Sequence, residues 1–182
     1  MQPYNQVRRS DRAVEDEVWI RDLLGRTAVG YLATVFDGQP FLNSNLFVYD
    51  SGAHAIYLHT AGKGRTRTNI ELEPRVCFTV SEMGRLLPAE VALEFSVEYR
   101  SVVVFGRASV VNDRARAAAA LQKLLDKYFG HLTPGRDYRP PVEEELKRTT
   151  VIQVQIESWS GKQKEVGEFP GAFWYGETAQ ER

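Results

Sequence analysis

The sequence predicts a mainly β domain of the α+β class. About six antiparallel strands form a sheet that closes into a small barrel, with a few flanking helices. Three observations carry this reading. Short runs rich in β-branched and aromatic residues are separated by the tight turns Asp37-Gly38 and Asp50-Ser51-Gly52, and strands joined so briefly pair antiparallel. Helical spacing is confined to a few segments, too few to cover an open sheet, and closure is the other way to remove bare edges. The 182 residues are the length of one domain, able to bury a core without cross-links. One domain is therefore expected over 1–182, with a core at about 18–164 and a tail at 165–182.

Each element has its own signal. Ser10 or Asp11 is placed to cap a first helix whose apolar positions Val14, Val18, Trp19, Leu23 and Leu24 share one face, with Gly25 to end it. Thr27–Phe36 and Pro40–Tyr49 read as strands around Asp37-Gly38, a pair in which both residues tolerate positive φ. Ala55–Thr60 is a third strand. Arg65–Glu73 is a short helix stopped by Pro74, and Arg75–Glu82 is a fourth strand. The stretch 94–111 is long enough for a bent strand or two strands, with Gly106 at a bulge. Asn112 or Asp113 caps an alanine-rich helix through Phe129, closed by Gly130. A proline-rich loop follows, then a helical turn over 142–148. In the last strand, 150–159, Val151, Gln153 and Gln155 alternate with Ile152, Val154 and Ile156. Beyond about Phe169 the chain offers only aromatic content.

Composition excludes several classes. Twenty-three Lys and Arg against 24 Asp and Glu leave a net charge of −1, which disfavours nucleic-acid and membrane-surface binding and permits self-association. Cys77 is the single cysteine, so no internal disulfide or cysteine cluster is possible, and its place in a strand reads as a small apolar residue. The N-terminus lacks the apolar stretch of a secretory signal and no run is long enough to span a bilayer. A soluble, cytoplasmic protein is expected. His54, His59 and His131 show no ligand spacing, and no Gly-x-Ser-x-Gly elbow occurs. Glu143-Glu144-Glu145 reads as a solvated helix face.

The most informative segment is Tyr57 to Asn69. A strand ends, Gly62 and Gly64 follow, and a helix starts with Lys63, Arg65 and Arg67 within five residues. Cations there oppose the helix dipole, and an external anion would relieve them. Backbone N–H groups, glycines and guanidinium forks make a phosphate cradle. A solvated basic turn is the other reading. A Walker A loop is excluded, because its first glycine falls on Tyr57 and its Ser or Thr on Gly64. His59 stands beside this turn and reads equally as a structural residue.

The order and spacing of several segments carry a resemblance. They are Gly30–Thr34 with Asp37, Gly38 and Pro40, then Asn45–Asp50, Ile56–His59, Gly64-Arg65, Asn69, Glu73–Phe78, Tyr99–Ala108, and Ile156-Glu157-x-Trp159-Ser160-Gly161-Lys162. From about Val18 to Lys164 the chain resembles the pyridoxamine 5′-phosphate oxidase-like, FMN-binding split-barrel superfamily, and within it the nitroimidazole-resistance branch. The resemblance implies a six-stranded split barrel and a homodimer with FMN at the interface. It implies that His59, Thr60, Lys63, Gly64 and Arg65 hold the phosphate. Thr66 replaces the basic residue usual after this arginine, leaving Lys63 or Arg67 to supply that charge. Asn43, Ser44, Asn45 and Leu46 would lie beside the flavin ring, and Ser101, Trp159 and Lys162 near the cofactor, some from the partner. The implied activity is electron transfer from NADH or NADPH through the flavin to a small acceptor such as a nitroaromatic. The tail lacks the Arg-x-x-Arg-Leu-x-Pro arrangement of true pyridoxamine phosphate oxidases. A non-catalytic flavin-binding role, or the same fold holding deazaflavin or haem with His59 as axial ligand, are the alternatives.

Overall fold

The computed structural model describes residues 3–177, and they form one predominantly antiparallel β structure with few helices. The strands are β1 (Ala13–Val14), β2 (Gly30–Phe36), β3 (Gln39–Asn45), β4 (Phe47–Asp50), β5 (Ala55–Ala61), β6 (Arg75–Leu87), β7 (Ser96–Val110) and β8 (Thr149–Lys164). The helices are α1 (Glu17–Arg26), α2 (Arg65–Leu72), α3 (Arg114–Phe129) and α4 (Glu143–Arg148).

The sheet has eight strands among the described residues, not six, and its hydrogen bonding does not close. Its path is β3-β2-β6-β7-β8-β5-β4, with β1 added to β8. The reason lies at Leu46. The expected single strand over 40–49 divides there: β3 pairs with β2, whereas β4 pairs with β5 at the other end of the path. Consecutive strands thus form the two edges.

The seam is bridged by side chains of α3. The Tyr128 hydroxyl accepts from the Phe47 N–H at 3.0 Å and reaches the carbonyl oxygens of Ala28 at 2.7 Å and Phe47 at 2.9 Å. Lys127 donates to the Thr27 carbonyl at 2.8 Å and lies 3.8 Å from the Phe47 ring centroid.

Side-chain alternation builds the core. Leu32, Phe78, Val80, Val102, Val104 and Ile152 point inward and are fully buried, and Ile20, Leu23 and Leu24 of α1 pack against the same core. Fully burying each such aliphatic or aromatic side chain contributes roughly 1.5–3 kcal/mol. Where β5 and β8 run under α3, both sheet faces are covered. Ala55, Tyr57 and Val151 pack on Ala117 and Ala120, whose small side chains let the helix approach closely. On β2, Gly30 is required, because a Cβ would sit 2.0 Å from the Phe78 ring.

Local signals hold in several places. Asp37 and Gly38 both have positive φ, 48° and 71°. Asp113 caps α3 by accepting from the Arg116 N–H. The β7–β8 register shifts between Phe105 and Gly106. The first helix differs from expectation. Residues 10–12 form a short 3₁₀ turn, and Asp16 is the cap of α1, accepting from Val18 and Trp19. Ala13 and Val14 are drawn into β1 by pairing with Lys162 and Gly161, so α1 starts later, and Gly25 lies inside it.

Candidate functional site

Strand β5 delivers its last residues to the junction with α2. The Gly62 N–H donates to the Arg148 carbonyl at 3.1 Å, fixing the strand end. Gly64 is the N-cap of α2 at φ 151°, ψ 168°, a conformation open essentially to glycine, and a Cβ there would meet nothing within 4 Å. No side chain caps this helix and its first turn holds no acidic residue. The N-terminal backbone and two exposed cations, Lys63 and Arg65, face open space.

The three basic residues of the junction have different fates. Arg67 is committed to the fold: it donates to the Gly62 carbonyl at 2.9 Å, to Thr150 Oγ1 at 3.3 Å and to Glu71 at 2.8 Å. Lys63 and Arg65 have no carboxylate partner among the described residues, and the Arg65 guanidinium lies 5.2 Å from the Phe41 ring centroid. Thr66 is buried, so a cation at that position would be driven into the protein rather than toward a ligand.

Helix α2 is pinned in place by Asn69. This buried side chain donates to Thr34 Oγ1 at 2.9 Å, tying the helix to β2. Sequence reasoning quoted Asn69 without a role. Its signal is a polar residue at an interior position of an amphipathic turn.

On β3, Phe41, Asn43 and Asn45 face the same side as Thr34, Leu32 and Gly30, their register partners. The Asn45 amide donates to the Asn43 carbonyl at 2.9 Å. Ser44 points to the opposite face with Tyr31. Thr60 sits across from Thr150, near Arg67.

His59 points away from this cluster by strand alternation. It lines an apolar groove of about 260 Å³ with Leu46, Leu121, Leu124, Leu125 and Tyr128. His59 is exposed and hydrogen-bonds no described residue.

Ser101 and Lys162 are register partners on β7 and β8. They lie at the far end of β8 from the junction, because Ala61 pairs with Thr149; from Thr149 to Lys162 is roughly 40 Å of strand. Trp159 occupies the opposite sheet face. Its ring packs edge-on against His54 at 4.7 Å and Tyr49 at 6.3 Å, with the Arg21 guanidinium 5.3 Å from it. The expected site residues therefore fall into four groups in one chain: the junction with β3, the His59 groove, the distant Ser101–Lys162 pair, and Trp159 on the opposite sheet face beside His54 and Tyr49.

No group of three His, Cys, Asp or Glu residues among those described is arranged to hold a metal ion. Burial pushes the Cys77 thiol up, which keeps it protonated and poorly nucleophilic. Glu143, Glu144 and Glu145 each pair with a basic residue on the surface. No described helix is long and apolar enough to cross a membrane.

Several solved structures share this architecture. The flavocytochrome Anf3 from Azotobacter vinelandii matches with a TM-score of 0.78 and 27% identity, covering 89% of this chain and 74% of that one. The FAD and heme binding protein from Mycobacterium smegmatis matches with a TM-score of 0.75 and 23% identity, covering 85% and 74%. A protein from Bacteroides thetaiotaomicron, named provisionally for 5-nitroimidazole antibiotic resistance, matches with a TM-score of 0.69 and 19% identity, covering 83% and 86%. None of the curated proteins matches the chain. The model of the family described as pyridoxamine 5′-phosphate oxidase matches residues 16–163, and the chain belongs to that family.

Proposed function

We propose that the chain binds a flavin, FMN, with its phosphate at the β5–α2 junction, and acts as an oxidoreductase passing electrons from NADH or NADPH to a small acceptor such as a nitroaromatic. The observation that carries this is the uncapped start of α2, where Lys63 and Arg65 stand without a carboxylate beside a glycine backbone that open space surrounds. Cations at a helix N-terminus oppose the dipole, and an anion reverses the sign of that interaction. The residues present fit the group: two free cations and exposed N–H groups suit a phosphate monoester. The names of the similar structures, which include a flavocytochrome and an FAD and heme binding protein, support a flavin.

The site is completed by a second copy of the chain. Ser101 and Lys162 lie too far along β8 to reach their own junction. The outward sheet face between them carries Ala33, Leu42, Cys77, Thr79, Val103 and Ser160, a nearly uncharged surface suited to self-association. In the homodimer, Lys63 and Arg65 hold the phosphate beside Phe41 at the edge of β3, and Ser44, on the outward face with Tyr31, meets the interface. The partner subunit's Ser101 and Lys162 approach from across the interface. When bound, a flavin supplies reversible hydride and single-electron transfer, and the chain supplies binding, orientation and exclusion of water.

One observation favours a second ligand. His59 is an unpartnered imidazole at the wall of an apolar groove, and it is the residue that would hold the iron if a haem bound there. The absorption spectrum of the purified protein decides among these. Two bands in the blue and near ultraviolet mean flavin, one band deazaflavin, and a Soret band haem. Anaerobic mixing with NADH or NADPH then tests turnover: bleaching of the flavin bands supports the oxidoreductase, and unbleached flavin leaves a binding protein. Light scattering showing a single copy in solution would remove the dimer.

A further inference from the structure

A cavity of about 470 Å³ lies where the far ends of β6, β7 and β8 meet the tail. Its wall is built rather than accidental. Arg85 forms two hydrogen bonds to Glu98 at 2.8 Å and donates to the carbonyls of Val166 and Gly167 at 2.8 and 2.9 Å. The Val166 N–H donates to Glu98 at 2.9 Å. Farther along, Phe173 exchanges both backbone hydrogen bonds with Leu86. Held at these two points, the tail presents Trp174 at the cavity with its surface half exposed, and Met83, equally exposed, lines the same space.

The wall carries one more cation than carboxylate. Arg26, Arg85, Arg100 and Lys164 face Glu82, Glu98 and Glu165. Arg26, Arg85 and Arg100 each pair with one of these carboxylates, whereas Lys164 takes only the Ser96 hydroxyl. The cavity also adjoins the residues assigned to the partner's flavin. Tyr99 lines it, and the Lys162 ammonium sits 5.5 Å from the Tyr99 ring centroid.

A half-exposed indole beside a thioether and a lysine without a carboxylate partner is chemistry for a planar group bearing a phosphate. We propose that this cavity binds a phosphorylated purine nucleotide, with Trp174 as the platform for the base and Lys164 as the cation for the phosphate. That the nucleotide belongs to the reduced nicotinamide donor rests on the flavoprotein reading. A hydride donor must reach the flavin, and Tyr99 joins this cavity to Lys162.

Calorimetric titration of the full-length protein with ADP, 2′,5′-ADP and adenosine tests the site. Saturable binding of a phosphorylated nucleotide, weaker for adenosine and weakened by salt, is expected. Trp174→Ala should raise the Kd at least tenfold, and Lys164→Gln several-fold with a shallower salt dependence, both with flavin content unchanged. No saturable binding of either phosphorylated nucleotide, or equal binding by parent and both variants, overturns the proposal. Binding of ADP by protein that takes up no flavin would keep the cavity and remove the donor assignment.

Discussion

Two lysine- and arginine-bearing helix ends in this molecule make opposite use of the same charge. At the C-terminus of α1, Lys127 donates to the carbonyl of the cap residue Thr27 and lies on the Phe47 ring. The dipole favours a cation there, and the protein itself completes the arrangement. At the N-terminus of α2, Lys63 and Arg65 stand where the dipole disfavours them, with no carboxylate to offset it. Arg67, two residues on, shows that pairing was sterically available, since it binds Glu71 and the Gly62 carbonyl. The difference separates a side chain that the fold engages from cations directed at a ligand. A structural cation is satisfied by the chain, whereas a binding cation is left in a geometry that the chain does not satisfy.

The largest expected effect tests the α2 end directly. Arg65→Ala should weaken flavin binding by roughly 1.5–3 kcal/mol, the value of a charge-assisted hydrogen bond, with little change in thermal stability. Fluorescence titration measures it, and unchanged affinity would place the phosphate elsewhere. Next comes the sealed seam. Tyr128→Phe leaves the Phe47 N–H unsatisfied and should cost about 2 kcal/mol of stability in urea unfolding. A variant as stable as the parent would mean that water replaces the hydroxyl.

Asn69→Ala sits between the two regions, because it frees α2 without touching either cation. A loss of about 1–2 kcal/mol of stability is expected together with weaker flavin binding. Stability loss with unaltered binding would show that the helix needs no such tether.

The smallest effect belongs to Lys127. Burial pushes its ammonium down to about 8, so desolvation offsets much of what its hydrogen bond contributes. Lys127→Met should stay within about 1 kcal/mol of the parent. The parent should also gain stability relative to Lys127→Met as pH rises from about 8 toward 10.5, because the folded state has then shed a proton that the unfolded chain still holds. A parent that instead loses stability relative to the variant in that window would show that the charged form is the favoured one.

Much of the architecture was legible because it is locally encoded. Asp37-Gly38 announces its hairpin through positive φ, Asp113 through its cap, and Gly106 through a bulge where a Cβ would lie 2.0 Å from the Gln155 carbonyl oxygen. The strand break at Leu46 was not legible. Asn45 and Phe47 flank it without a turn residue, and the partition is decided by pairing with strands distant in sequence. The start of α1 was misplaced for the same reason, since β1 depends on β8. At the site, the cationic junction could be read from composition and spacing. That Arg67 also reaches Thr150, that His59 turns toward α3, and that Arg85 and Glu98 hold the tail depend on contacts between remote segments, whereas the Arg67 bonds to Gly62 and Glu71 are local.

The division at Leu46 leaves the two edges of the sheet joined by a single residue. Chain length at this point is therefore under tighter constraint than at the hairpin tip of Asp37 and Gly38. One inserted residue before Phe47 must either bulge out of the linker or slip β4 one place along β5, and the slip would turn a fully buried ring outward while Tyr49 and its neighbours exchanged sides. The same insertion beside Gly38 would only lengthen an exposed loop.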